Sequence, residues 1–397
     1  MRFNLWEDCN RVPLTELLSF IVDNRGKTVP TAPSGHKLIA TNCVTNNTLF
    51  PVYEKIRYLS EETYQTWFRA HPIPGDILFV NKGTPGRVCL VPDPVDFCIA
   101  QDMIALRADE SKIYPKYLFA VLRSREIQQQ IYNTNVGDVI PHFKKQFLNQ
   151  LLIPIPERSI QESIGDLYYV LSLKAERNKK INDNLQQQAL AIFQQEFLRE
   201  GELPDGWTSG SLLDIANYLN GLAMQKFRPA DGESGLPVLK IKELRQGSCD
   251  ASSELCSPSI KPEYIVHDGD VIFSWSGSLL VDLWCGGTCG LNQHLFKVTS
   301  EKYPKWFYYA WTAHHLARFV AIAADKATTM GHIKREELAK AEVVIPDAAS
   351  MERIGGILQP MYDLIISNRI ENRKLAALRD IILPQLMSGE LNVSDLT

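Results

Sequence analysis

The feature that most limits what this chain can fold into is that it repeats itself. Gly75-Asp76-Ile77-Leu78-Phe79 returns as Gly269-Asp270-Val271-Ile272-Phe273. In the same order, Gln101-Asp102-Met103-Ile104 matches Gln293-His294-Leu295-Phe296, and Tyr114-Pro115-Lys116-Tyr117 matches Tyr303-Pro304-Lys305-Trp306. His142-x-Lys144 and His332-x-Lys334 follow, then Ile164-Gly165 and Ile354-Gly355, then Gly201-Glu202-Leu203 and Gly389-Glu390-Leu391. The offset stays close to 190 residues, about half of the 397-residue chain. A period this long lies far above the roughly 20–50 residues of solenoid repeats and marks a tandem duplication of a whole module.

Each copy has two parts. Residues 1–157 and 204–347 mix short β-type runs (Asp76–Val80, Val88–Val91, Val238–Ile241, Val271–Ser274) with one helical stretch each, Lys116–Ile131 and Lys305–Ala323. Gly, Pro and Asn clusters punctuate the runs, which predicts an α+β module. Residues 158–203 and 348–397 instead carry helical periodicity. One heptad row reads Ile160, Leu167, Lys174, Ile181, Gln188, and the other Ile164, Leu171, Asn178, Leu185, Ile192. The second copy reads Ser350, Ile357, Leu364, Glu371, Leu378 and Ile354, Met361, Asn368, Leu375, Ile382. Such rows predict two long helices paired as an antiparallel coiled coil. Pro360 should kink or interrupt the second. Asn178 and Asn368 share a seam position near the helix midpoints. In an antiparallel pair these two amides are expected to meet and fix the register; two partly solvated asparagines are the alternative.

Composition narrows the function. No run of about 18 apolar residues offers a membrane span, and the N-terminal residues lack the apolar stretch of a signal peptide, so a cytoplasmic chain without a membrane partner is expected. Eight cysteines without a Cys-x-x-Cys pair read as reduced thiols, with no metal site expected. The chain shows no Asn/Asp-Pro-Pro-aromatic motif, no phosphate-binding Gly-x4-Gly-Lys-Ser/Thr loop, no Gly-x-Ser-x-Gly elbow and no His-Glu-x-x-His. A non-catalytic protein is expected. Net charge is −4, and neither module is basic: residues 1–157 hold 17 basic and 16 acidic side chains, and 204–347 hold 14 and 17. Any DNA binding must then depend on local patches, and binding by the chain alone should be weak.

The repeated motifs resemble a known family. Gly-Asp-Ile-Leu-Phe-Val-Asn-Lys-Gly at 75–83, Gly-Asp-Val-Ile-Phe-Ser-Trp-Ser-Gly at 269–277, Asn292-Gln293-His294-Leu295, Ile-Pro-Ile-Pro at 153–156 and Asn220-Gly221-Leu222-Ala223 look like the specificity subunit of type I restriction–modification enzymes. So does Leu383-Pro384-Gln385-Leu386-Met387-Ser388-Gly389-Glu390-Leu391. The first copy departs from the pattern: it has Gly137-Asp138-Val139-Ile140-Pro141 where the second has Thr328-Thr329-Met330-Gly331, and no visible counterpart of Asn220-Gly221. The resemblance implies two target recognition domains, each reading half of a split site in double-stranded DNA, separated by a helical spacer. It implies two methylase subunits as partners, with restriction/translocase subunits as possible additions. S-adenosylmethionine, ATP and Mg would be bound by those partners, not by this chain. A coiled-coil adaptor whose modules bind proteins is the alternative.

Candidate DNA-binding residues lie in loops rich in donors. Asn81, Lys82, Thr84 and Arg87 surround two glycines, and Trp275 and Ser276 occupy the matching loop of the second copy. Arginine can address guanine, and asparagine or glutamine adenine, in bidentate fashion. Lys144 and Lys145, with Lys334 and Arg335, precede the long helices and suit phosphate contacts. Arg25 and Lys27, and Lys226 and Arg228, occupy early loops, and Lys240, Lys242 and Arg245 add a basic cluster. Gln101 and Gln293 are equally compatible with base reading and with buried hydrogen bonding.

Overall fold

Alternate residues of one short strand feed two different cores in each module, and this organises the fold. Of Ile77–Val80, Ile77 and Phe79 join one apolar cluster while Leu78 and Val80 join another. In the second copy Val271 and Phe273 join one cluster and Ile272 a second. A strand covered on both faces reads as an unbroken apolar run, which is how both segments appear in the sequence. The computed structural model of the chain describes residues 4–24, 26–134, 141–199, 201–325 and 333–391. Its contacts divide it into two units, Met1–Arg177 with Lys374–Thr397, and Asn178–Arg373.

The first unit carries β1 (Asn10–Pro13), β2 (Leu18–Val22), β3 (His36–Ile39), β4 (Arg57–Leu59), β5 (Ile77–Val80), β6 (Val88–Leu90), β7 (Phe97–Ile99), β8 (Met103–Ala108) and β9 (Leu152–Ile155). They form an antiparallel sheet in the order β2-β8-β5-β6, a smaller sheet β4-β3-β7, and the pair β1-β9. Against the larger sheet lies the helix Pro115–Leu122, every residue of which from Tyr117 onward is buried.

The second unit carries β10 (Thr208–Ser211), β11 (Asn217–Asn220), β12 (Leu236–Leu239), β13 (Leu255–Cys256), β14 (Ile265–Val266), β15 (Val271–Ser274), β16 (Leu280–Leu283), β17 (Cys289–Leu291), β18 (Leu295–Thr299) and β19 (Glu342–Ile345). The orders β11-β18-β15-β16, β13-β12-β17-β14 and β10-β19 repeat the first unit, with β14 added. Helix Lys305–His314 takes the place of Pro115–Leu122 and buries Trp306, Phe307 and Trp311.

Register supplies a correspondence that the sequence hides. Ala105 faces both Leu78 and Val22, and Lys297 faces both Ile272 and Leu219. Val22 and Leu219 are therefore equivalent, and Asp23-Asn24 is the counterpart of Asn220-Gly221. One expectation needs correction: neither helical stretch is continuous. Ser124 interrupts the first by accepting the Ile127 N–H and starting a new helix, Arg125–Asn133. The second breaks at His315 into Lys305–His314 and Leu316–Asp325.

The long helices run Arg158–Phe197 and Ala348–Met387, 40 residues each, and pack against each other. In the second unit Asn178 bonds Asn372, Asn182 bonds Asn368, and Glu196 pairs with Arg353. Residue numbers rise along one helix as they fall along the other, so the pairing is antiparallel. In the first unit Ile164 and Tyr168 share a core with Leu383 and Leu386, and Arg379 lies over the Tyr168 ring.

One heptad row differs from expectation by a single residue. The rows containing Ile164 and Ile354 face the seam, but their companions are Tyr168, Ala175, Asn182 and Ala189, and Leu358, Ile365, Asn372 and Arg379. Ile181, Ile357, Leu364 and Leu378 are 44–48% exposed. In the first helix small and polar residues (Ala175, Asn182, Ala189) occupy the true row, and in the second Leu358 and Ile365 adjoin the equally aliphatic Ile357 and Leu364, so hydropathy does not single the row out. Asn178 and Asn368 consequently do not bond each other; each reaches an asparagine one turn further along. Pro360 does not interrupt its helix either. The carbonyl it deprives of a partner is that of Gly356, and both residues line an open cleft, where solvent can satisfy the oxygen.

Gly165 and Gly355 explain a repeated motif. A side chain at Gly165 would lie 2.6 Å from the Tyr117 nitrogen, so glycine lets the long helix touch the backbone of Pro115–Leu122. At Gly355 the neighbour is the Trp306 indole at 3.1 Å.

Candidate nucleic-acid interface

In each unit, loops distant in sequence meet at one end of the larger sheet. In the first unit the loop after β5 is held from two sides. Asn81 and Lys82 donate their backbone N–H groups to the Asp102 carbonyl, and Phe143 donates to the Asn81 carbonyl at 2.8 Å. Gly83 donates to the Pro141 carbonyl, Lys82 pairs with His142, and Lys145 forms an ion pair with Asp23. Loops 81–87, 101–102 and 141–145 and the end of β2 are thus brought together.

The second unit builds the same end from different side chains. Ile333 donates to the Trp275 carbonyl at 3.0 Å, as Phe143 does to Asn81. The Trp275 indole donates to Asn220 at 3.1 Å, and Ser276 shares a 3.1 Å hydrogen bond with Nδ1 of His294. Gln293 donates its backbone N–H to Leu222 and lies 3.4 Å from Nε2 of His294.

The sequence-predicted residues separate accordingly. Lys82 and Thr84 are half-buried on this end of the first unit, with Arg87, Gln101, Lys144 and Lys145 exposed. Trp275 and Gln293 are half-buried at the matching end of the second, and Lys334 and Arg335 are exposed. Lys27 and Lys226 are exposed on their loops. Arg25, His332 and residues 137–140 and 328–331 lie outside the described residues.

Three expectations are corrected. Asn81 is 2% exposed and its amide donates to the Phe143 carbonyl, so it shapes the loop and cannot reach a base edge in this conformation. Ser276 is 1% exposed and is engaged by His294. Lys240 and Lys242, two of the three cations of the expected basic cluster, are balanced by acidic neighbours, and so is Arg228. Glu254 pairs with both Arg228 and Lys240, and Lys242 faces Asp250 and Ser252. These cations hold the Glu254 carboxyl below its ordinary range, Lys240 foremost.

Sequence reasoning missed Asp23, Asp102, Asn220 and His294 as individual site residues. Asp102 and His294 were visible as partners in the duplicated Gln-x pair. Asp23 carried no signal, because only strand register aligns it with Asn220. Among the described residues no group of three or more His, Cys, Asp or Glu could hold a metal ion. No described helix is long and apolar enough to cross a membrane.

The two ends present donors, cations and an indole on loops, an arrangement suited to recognition. Comparison with known proteins agrees. A family model described as the type I restriction modification DNA specificity domain matches residues 23–187 and again 204–378, once per copy. The chain is 22% identical to the type I restriction enzyme MjaIX specificity subunit of Methanocaldococcus jannaschii, over 81% of this chain and 79% of that protein. It is 19% identical to the HindI specificity subunit of Haemophilus influenzae, over 80% and 86%. Of solved structures, it is similar to the type I restriction–modification S subunit from M. genitalium. The TM-score is 0.60 at 14% identity, covering 96% of both chains, a likeness of fold.

Proposed function

The chain belongs to the family of type I restriction–modification DNA specificity subunits, and from this we propose that its two modules each read one half of a two-part DNA sequence. It is the non-catalytic specificity subunit of such a system. The adaptor reading, in which the modules bind only proteins, gives way to this membership.

The observation that carries the two-part reading is that equivalent loop ends of the two copies have different chemistry. The first offers Lys82, Arg87, Gln101, Lys144 and Lys145; the second offers Trp275, Gln293, Lys334 and Arg335, with Asn220 bonded to Trp275 and His294 to Ser276. Equivalent placement with unlike side chains suits a site whose halves differ. Arg87 and Gln101 are the side chains best suited to base edges in the first module, and the lysines to phosphates.

The modules of this reading are residues 1–157 and 204–347, and the spacers are 158–203 and 348–397. A 40-residue helix is about 60 Å long, and DNA advances about 3.4 Å per base pair, so the spacer spans more than one turn of duplex. Its length sets the gap between half-sites. Two methylase subunits dock on the spacer and adjoining surfaces, and restriction/translocase subunits join where the system has them. With both modules close to neutral, the partners supply most of the grip on the phosphates. The complex acts on cellular DNA in the cytoplasm.

The test is to replace residues 204–347 with the matching module of a relative and map methylated adenines in the host. One half-site should change while the other half-site and the gap stay. If both halves change, or neither does, the modules do not read independently.

A further inference from the structure

Two arginines of the second long helix grip the second module in a way that the first copy does not share. Arg373 donates from Nη1 and Nη2 to the two carboxylate oxygens of Asp268, each at 2.7 Å, and also to the Cys285 carbonyl. Arg369, one turn earlier, donates to Asp282 at 2.7 Å and to the Leu283 carbonyl at 3.0 Å. The fork of Arg373 on Asp268 fixes orientation as well as distance, and Arg369 adds a second anchor one turn away.

The socket on the module is itself rigid. Gly287 donates its N–H to Asp268 at 2.8 Å, and the buried Trp284 indole donates to the Gly287 carbonyl at 2.6 Å. Gly287 has φ +93°, and a side chain there would sit 3.4 Å from Nη1 of Arg373. Glycine therefore gives the turn its conformation and leaves space for the guanidinium.

The position of this grip matters. Asp268 precedes β15, and Asp282 and Leu283 end β16, so the helix holds this hairpin at its base. Trp275 and Ser276 lie at its opposite end. The strands are four residues long, about 13 Å from base to tip. A tilt of about 15° at the base would move the tip by about 3.4 Å, one base-pair step.

The first copy lacks all four side chains. By the repeat offset, Lys179 and Asp183 stand for Arg369 and Arg373, and Pro74 stands for Asp268. By strand register, Cys89 stands for Asp282. Asp76 and its counterpart Asp270 are each paired within their own module, to Arg107 at 2.9 Å and to Lys297 at 2.8 Å, so neither belongs to the clamp. The clamp is a feature of one copy, not a relic of the duplication.

We propose that Arg369 and Arg373 are positioning residues that pin the second reading hairpin to the spacer helix and so restrict the complex to a single gap between half-sites. The proposal rests on the two-part reading above.

The test maps methylated adenines in cells carrying the whole system with the wild-type chain, with Arg369→Ala/Arg373→Ala, or with the exchange Arg373→Asp/Asp268→Arg. The wild type should methylate one gap length. The double alanine variant should keep both half-sites but also methylate gaps one base pair shorter or longer, at a tenth or more of the native-gap level. The exchange should return methylation to one gap. A double variant that keeps a single gap overturns the proposal. Loss of all methylation in both variants also overturns it, since the pairs would then serve folding alone. A wild-type map without a two-part sequence contradicts the functional reading itself and removes the basis of the clamp.

Discussion

Asn368 donates its side-chain amide to the side-chain oxygen of Asn182 at 2.9 Å, across the seam between the two long helices. Shifted by the repeat offset, this contact becomes Asn178 to Asn372, which is also present at 2.9 Å. A tandem duplication folded back antiparallel offers each seam position twice, and at this one both copies carry the asparagine pair. Asn182 and Asn368 are 5% and 7% exposed, so their amides depend on each other and on the Ile365 carbonyl for satisfaction.

Removing one member should therefore cost more than removing both. Asn368→Leu leaves the buried Asn182 amide short of a partner, at about 1–3 kcal/mol. Asn182→Leu/Asn368→Leu should recover much of that loss in urea unfolding followed by circular dichroism. A double variant less stable than either single variant would contradict the pairing.

Two glycines in equivalent turns should respond in opposite directions. Gly165→Ala drives a methyl to 2.6 Å from the Tyr117 nitrogen and should destabilise by about 1–3 kcal/mol. Gly356→Ala meets nothing within 4 Å and should stabilise its helix by up to about 1 kcal/mol. Thermal unfolding of the two variants beside the wild type measures both.

Acid should loosen the second module's attachment to its helix. Hydrogen bonding by Arg373 chiefly, with the Gly287 N–H and nearby charges, holds the Asp268 carboxyl below its ordinary range. A carboxyl depressed on folding contributes its stabilisation above its unfolded value, about 3.9, and loses it as pH falls through the folded value. Arg373→Ala should therefore narrow the stability difference between pH 7 and pH 3. An unchanged difference would show that the pair does not contribute.

Neighbouring residues of the first module's loop should behave differently on truncation. Arg87 is exposed, and Arg87→Ala should weaken methylation at sites sharing one half-sequence, by about 1–3 kcal/mol if it makes a bidentate base contact. Asn81 is buried against Phe143, and Asn81→Ala should lower stability before it alters sequence preference. Methylation rates on oligonucleotide duplexes with single changes in each half-site, alongside melting curves, distinguish the two effects.

The duplication, the α+β modules and the antiparallel helices were legible in the sequence because each rests on a repeated local pattern. The companion heptad row was not. Asn182, Ala175 and Ala189 face the seam while Ile181 faces outward, and hydropathy ranks them the other way. The loop end was half legible. Lys82, Arg87 and Lys144 are cations on loops, visible as such. Asn81 looks like a reader by type and is a structural residue by burial. Lys240 looks free until Glu254, fourteen residues away, is placed beside it. Asp23 carries no motif and is found only through pairing of β2 with β8. The clamp of Arg369 and Arg373 was invisible because it joins a helix to loops about 90–105 residues away in sequence.

The most direct test of the two-part reading is a genome-wide map of methylated adenines in host cells with this chain and after its deletion. The account predicts a single two-part sequence, its halves unlike each other and separated by a fixed gap, that loses methylation when the chain is removed. A continuous target sequence, or a methylation map unchanged by deletion, would contradict it.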